Sequence, residues 1–420
     1  MIHLLRLELT KMKRSRYSLG LLLLLLIAVG SYFFYTNQKE MGLKEAEILI
    51  LSNLEFNKNF YEQTKSEIET KGGTINFELQ NSFEVAERQY KAYQMMHEGI
   101  INKDWSLYLQ GEIMNTSWYE EAKKKELETV VKSYLYTTPF TVFTGIDQLR
   151  WMEERDIQPL FPSGSYSWLS LYDEEFDDPM VEKFAYENAE KYSASGFYFI
   201  YQAFGYGFGL AGLLFILFLF TDILTKEGFG RNGPIQMLRT QPIRRTIFWV
   251  SKGVTVIVGS LLVILLVALA GLGLGSLFNR LGDWDYPILI YGPERTYSFL
   301  TIAEFLGKGL GLFLLVLALG FSFLFLFSVL TNRAVLAIGL TVAVIFIGQM
   351  LTEQSLLLTW SHWLPFHYID VYPILNGEYA VVNENTLFTY RQAILSLSVS
   401  TLILLLTTFG AVKLRKGVMS

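Results

Sequence analysis

The chain has no cysteine, so disulfides, thiol nucleophiles and thiolate metal sites are all excluded, and any part outside a cell is held by packing alone. It is also poor in charge. Of its 420 residues 18% are Asp, Glu, Lys or Arg, against 51% hydrophobic, the balance of a membrane protein rather than of two or three soluble domains. A phosphate-binding loop is missing: the nearest phrase, Gly307-Lys308, has Ile302 five residues before Gly307, where the motif needs a glycine. There is no nucleophile elbow and no zinc-helix motif. Of the four histidines, His362 and His367 stand five apart without a third ligand, so no metal site is expected. The chain alone is expected to be neither an enzyme nor a carrier of any cofactor, and nothing points to nucleic acid.

What is present is a series of apolar runs of about 20 residues, the length that crosses a bilayer as a helix. Residues 1–16 place Leu4, Leu5, Leu7 and Leu9 among Arg6, Lys11, Lys13, Arg14 and Arg16, the pattern of an interfacial amphipathic helix. Residues 17–36 form the first expected span. No small-x-small cleavage site follows it, so it is read as uncleaved, with its amino end inside.

Residues 37–195 are a polar insertion with 16 Lys and Arg against 29 Asp and Glu, a balance of −13; the rest of the chain has 19 against 11, a balance of +8, and the two make the net charge of −5. Leu127, Val130, Val131, Tyr134 and Leu135 form one helical stripe. Asn81 or Ser82 is a candidate cap for a helix through 84–97, and Thr116 for one beginning near Ser117. Turns are expected at Lys71-Gly72-Gly73 and over 159–167. The insertion therefore reads as a mainly helical domain, extracellular because it follows an in-to-out span.

Residues 196–420 carry five more expected spans, at about 196–224, 246–278, 300–330, 334–351 and 392–412. The fold class expected is an all-α membrane protein with six transmembrane helices and both termini inside. Between the second and third spans lies a basic segment, 226–252, with Lys226, Arg231, Arg239, Arg244, Arg245 and Lys252 against Glu227 alone, the charge balance of a loop held on the cytoplasmic side. An aromatic connection, 353–388, carries Trp360, Trp363, Phe366, Tyr368, Tyr372 and Tyr379 on the outer side.

Three glycine pairs stand four apart inside the spans: Gly205 and Gly209, Gly271 and Gly275, Gly307 and Gly311. Small residues at this spacing let helix backbones approach closely, within one bundle or along a dimer seam. Glu304 and Lys308, one turn apart near the outer end of the fourth span, read as a mutual ion pair, with guidance of a substrate as the sharper alternative. The acidic run Asp173, Glu174, Glu175, Asp177 and Asp178 reads as a solvated loop, with a cation or basic peptide as the other possibility.

The order of parts, together with Glu227, Leu238, Pro242-x-Arg244 and the Lys252 that enters the third span, resembles the membrane subunit of ATP-binding-cassette exporters of the type-2 permease class, which includes bacterial permeases for antimicrobial peptides, lipids or drugs. The resemblance implies a multi-pass subunit of the bacterial plasma membrane. It works with a second copy of itself or a homologous permease, with membrane lipids around it, and with cytoplasmic ATPase subunits that hold the ATP and Mg. It also implies that 225–245 contains a coupling helix seated on the ATPase, with Glu227, Arg231, Leu238, Pro242 and Arg244 as the residues involved. Gly228, Gly230 and Gly233 make that helix short in propensity. The connection through Trp363-Leu364-Pro365-Phe366 and Asp370-Val371-Tyr372-Pro373 resembles the family's extracellular gate, and the large insertion resembles those of a subset of Gram-positive permeases. A different class, a membrane sensor whose insertion binds a ligand and signals inward without transport, is motivated by the size of that insertion. Secondary ion transport fits less well, because the spans hold few paired carboxylates and no inverted repeat.

Overall fold

The computed structural model describes residues 16–70, 77–117, 139–161, 163, 169–173, 179–180, 183, 192–225, 245–331, 333–356 and 358–417. Helix α1 (Arg16–Lys39) is built on the six leucines 21–26 and presents Leu23 and Leu24 outward, 61% and 60% exposed, as a helix facing lipid would. It ends at Glu40. Three residues later α2 (Leu43–Thr70) starts, with Gly42 N donating to Glu45 Oε2 at 3.2 Å across its first turn.

In the insertion, α2 pairs with α3 (Phe77–Asn102), and Tyr61 lies against Phe83 and Tyr90, each 5.5 Å between ring centres. A tight turn with Lys103 in the left-handed region leads into α4 (Trp105–Thr116), capped by the Asp104 side chain on Leu107 N at 2.9 Å. A Cβ on Gly99 would stand 2.6 Å from Tyr108 N, and one on Gly111 2.6 Å from Ala92 O. Glycine at both places is what lets α3 and α4 touch backbone to backbone. α5 (Pro139–Glu153) opens on a proline, whose missing N–H costs nothing in a first turn.

Two expected caps are overturned. Ser82 lies inside α3, its hydroxyl bonded to Glu78 O at 2.8 Å, because the helix already begins at Phe77. Thr116 is the last residue of α4, with its hydroxyl on Glu112 O at 3.0 Å, and so is helical rather than a cap. The stripe from Leu127 to Leu135 and the turn at Lys71-Gly72-Gly73 lie outside the described residues.

The apolar part comprises α6 (Gly196–Gly207), α7 (Leu210–Thr225), α8 (Arg245–Phe278), α9 (Ile302–Thr331), α10 (Ala334–Met350) and α13 (Tyr390–Gly417), with the short helices α11 (Val371–Leu375) and α12 (Glu378–Val382) before the last. Four helices, α1, α8, α9 and α13, are long and apolar enough to cross a membrane, or five crossings if α6 and α7 count as one; α10 is apolar but shorter. The chain is a mostly helical membrane protein. Helix α9 is central: 56% of its most apolar window is buried, against 17% for α1.

Two findings depart from the sequence reading. The expected second span is not one helix, because α6 and α7 meet at 77° across Phe208 and Gly209. The connection between the spans expected at 246–278 and 300–330 folds as an antiparallel hairpin, β1 (Pro287–Tyr291) with β2 (Tyr297–Thr301), in the register Leu289 opposite Phe299. It is the one sheet among the described residues. The buried core runs without interruption from Ile50, Met96 and Tyr108 in the insertion through Phe197 and Phe208 to Leu312 and Leu397 in the bundle, so the insertion is packed onto the bundle rather than tethered to it.

Candidate functional site

The break between α6 and α7 follows from its residues. Gly205, Gly207, Gly209 and Gly212 occur within eight positions, which weakens a helix. A Cβ on Gly212 would collide with Gly207 O. At the corner Phe208 is buried, stacked on Phe204 at 4.5 Å and on Phe313 of α9 at 4.8 Å. One aromatic side chain thus packs the bend against the central helix.

The bend is also held by three consecutive residues, Asp370, Val371 and Tyr372. Val371 N donates to Phe208 O at 3.0 Å. The Asp370 carboxylate leaves its own helix uncapped and accepts instead from Leu210 N, the first N–H of α7, at 3.2 Å. A negative group there meets the positive end of the half-helix. The Tyr372 hydroxyl donates to Tyr201 O at 2.7 Å, and its ring meets Phe305 at 4.8 Å. Gly205 and Gly209 face this clamp. A Cβ on Gly205 would lie 3.3 Å from the Tyr372 ring, and one on Gly209 would overlap Asp370 Oδ1. Both therefore serve close packing inside this chain. Asp370 Oδ2 also stands 3.5 Å from Gln349 Nε2 of α10. Backbone groups that a broken helix exposes are in this way satisfied by a neighbouring segment.

Next to the clamp, His367 is buried with both ring nitrogens engaged: Nε2 with Ser355 Oγ at 2.9 Å and Nδ1 with the Tyr379 hydroxyl at 2.6 Å, while Phe388 covers the ring. His362 takes part only through its carbonyl, which accepts from the Tyr368 hydroxyl and Gln392 Nε2. Among the described residues no group of three His, Asp or Glu is arranged to hold a metal. Burial pushes the His367 pKa down to about 4, below the roughly 6.5 of an unfolded histidine. Because the folded value is the lower one, protonation favours the unfolded chain. The contribution of the neutral ring is whole above about pH 6.5 and is lost as pH falls towards 4. The melting temperature in nanodiscs is expected to fall more steeply between pH 6.5 and 4.5 in the wild type than in His367→Gln; parallel profiles would rule this out.

A second node was missed in the sequence. Glu40 accepts from Ala194 N at 2.8 Å, Ser193 Oγ at 3.0 Å and Asn279 Nδ2 at 2.6 Å, which ties the ends of α1, α6 and α8 to one carboxylate. Burial raises its pKa, opposed by these bonds and by Arg280. Arg280 stands 3.6 Å from Asp283 and donates to the carbonyls of Gln158 and Pro159 in the insertion.

The other predicted residues are placed as follows. Gly275 faces the start of α6, a Cβ there lying 2.5 Å from Gly196 Cα, and Gly271 faces Phe199 and Ile200. Among the described residues, a Cβ on Gly307 would have nothing within 4 Å and one on Gly311 only the Tyr390 hydroxyl, at 3.9 Å. Lys308 Nζ and Glu304 Oε1 are 2.8 Å apart on a partly exposed helix face, a pair worth a few tenths of a kcal/mol, about 0.3 to 0.5. Lys252 is buried in α8, as are Ser251 and Thr255. Asp173 ends a 3-10 turn, while Glu174, Glu175, Asp177 and Asp178 lie outside the described residues, as do Glu227, Arg231, Leu238, Pro242 and Arg244. Compared with protein-family models, curated proteins and solved structures, the chain matches none. The functional reading therefore rests on the clamped break and on the charge pattern. The four glycines from Gly205 to Gly212 are the signal in the sequence for the break; Gly205 and Gly209 taken alone have only the spacing of a packing pair.

Proposed function

We propose that the chain is the membrane-spanning half of an ATP-driven exporter, which couples hydrolysis by a separate cytoplasmic ATPase to export or extraction of an amphipathic substrate such as a peptide, lipid or drug. One observation carries the reading. Helix α7 has its first N–H in the clamp, at Leu210, and ends at Thr225, where the basic segment begins. A helix of 16 residues is a rod of about 24 Å. Movement of the basic segment by a docked ATPase would reach the break through that rod as a rigid-body displacement. In this reading the basic side is cytoplasmic, the insertion and the clamp are extracellular, α10 and the bent pair complete six crossings, ATP and Mg belong to the ATPase, and a second copy or a homologous permease completes the pore in the bacterial plasma membrane.

The test is to reconstitute the chain in lipid with its ATPase and follow substrate-dependent hydrolysis. Arg244→Glu and Glu227→Lys are each expected to abolish the coupled part. Full coupling in both would overturn the assignment. The other reading, a sensor that signals without transport, is favoured by the uninterrupted core between insertion and bundle. It predicts ligand binding with no movement of substrate across the vesicle wall.

A further inference from the structure

We infer that the insertion controls the clamped break, and that the β-hairpin transmits the control. Every link is a bond or a close contact. On the insertion side, Trp151 Nε1 of α5 donates to Asp285 O at 3.0 Å, Gln148 Nε2 donates to Pro287 O at 3.3 Å, and the Tyr297 hydroxyl donates to the Asp147 carboxylate. Phe140 of α5 closes the joint, packed edge-on against Tyr297 at 5.5 Å. The α5 helix and the hairpin therefore form one unit joined along both strands.

On the far side, the last residue of β1 is bonded to the segment that carries the clamp. Tyr291 N donates to Asn376 O at 2.7 Å, and Asn376 N donates to Tyr372 O at 2.9 Å. Gly377 has φ +80, and a Cβ on it would run into Tyr291 O. Only glycine adopts that conformation at that contact without strain. Six residues before Asn376, Asp370 caps α7. Two bonds therefore separate the hairpin from Tyr372, and Tyr372 itself holds Tyr201 of α6.

A ligand or partner that shifts α5 must move the hairpin, and the hairpin cannot move without straining the Tyr291 to Asn376 joint or carrying α11 with it. Packed elements of this kind respond by switching arrangement rather than by stretching. The consequence for substrate movement rests on the export reading. The mechanical link does not, and the experiment reads the link alone.

Hydrogen exchange of the full chain in nanodiscs, with no ATPase and no substrate, is compared in the wild type, in Trp151→Phe with Tyr297→Phe, and in Gly377→Ala. The first variant removes two bonds more than one element away from the break, and the second strains the joint at Tyr291. In both, peptides covering 205–213 and 368–373 are expected to exchange roughly three- to tenfold faster, the effect of losing one or two hydrogen bonds from a cooperative unit. Unchanged exchange over 205–213 in both variants overturns the inference and leaves the export reading standing. Faster exchange at the break together with full ATPase coupling in Arg244→Glu and Glu227→Lys retains the link and removes the exporter.

Discussion

Gly275→Leu is expected to leave almost no folded protein, whereas Gly307→Leu, the same substitution in the next apolar helix, is expected to be nearly silent. At Gly275 a Cβ would stand 2.5 Å from both Cα and N of Gly196 and 3.2 Å from Ala194 O, all backbone atoms. They cannot retreat. Gly196 N is bonded to Arg280 O and Phe197 N to Leu281 O, each at 2.9 Å, and Ala194 N to Glu40. Leucine would have to part α6 from α8 and break these bonds as well, so the loss exceeds the usual cost of overpacking, about 1 to 3 kcal/mol, and approaches the whole stability of a marginal fold. At Gly307 a Cβ would meet nothing within 4 Å among the described residues. Yield of monodisperse protein and melting temperature in detergent measure both; equal behaviour of the two variants would contradict the packing described. A second outcome is informative about assembly. If the copies meet along Gly307, its leucine variant keeps the melting temperature of the protomer and changes only the oligomer's size.

The sequence made the apolar helices legible because each rests on a run of leucine, valine and phenylalanine that nothing in the neighbourhood contradicts, and α8, α9 and α10 begin and end within two residues of their expected limits. What it did not reveal has a common physical origin. The corner at Phe208 and Gly209 depends on Asp370 and Val371, about 160 positions away, which supply the partners that a break needs. Without a visible partner, a glycine-rich apolar run reads as a continuous span. The hairpin was hidden in the same way: Ile288, Leu289 and Ile290 are a strand signal of only a few residues, and they become a strand because β2 and α5 cover them. Glu40 and Arg280 looked like ordinary boundary charges. Their role comes from the convergence of three helix ends, which no spacing within the chain encodes. The clamp's residues stand out in the sequence as part of an aromatic connection, but the pairing of Asp370 with Leu210 does not.

Asp370→Ala is expected to open the break while leaving the fold intact, and the size of the effect can be bounded. Deleting a side-chain cap costs about 1 kcal/mol, and losing a negative charge at a helix start adds about 0.3 to 1 kcal/mol. The Val371 N to Phe208 O bond and the Tyr372 contact to Tyr201 persist, so the rest of the clamp still orients the segment. A loss of 1 to 2 kcal/mol multiplies the open population roughly 5- to 30-fold. Because the chain has no cysteine, one introduced thiol reports on this directly. Leu213, 1% exposed one turn into α7 and packed towards Gly320, replaced by cysteine, should react with a membrane-permeant maleimide at a rate that follows opening. That rate is expected to rise by about tenfold in Asp370→Ala, the middle of the 5- to 30-fold range. Asp370→Asn should fall between, since its amide oxygen still accepts from Leu210 N but carries no charge. Equal labelling in all three backgrounds would mean that Phe208 and Val371 alone hold the bend. Ordered rates would make the carboxylate at 370 the point where the connection before the last helix governs the broken one.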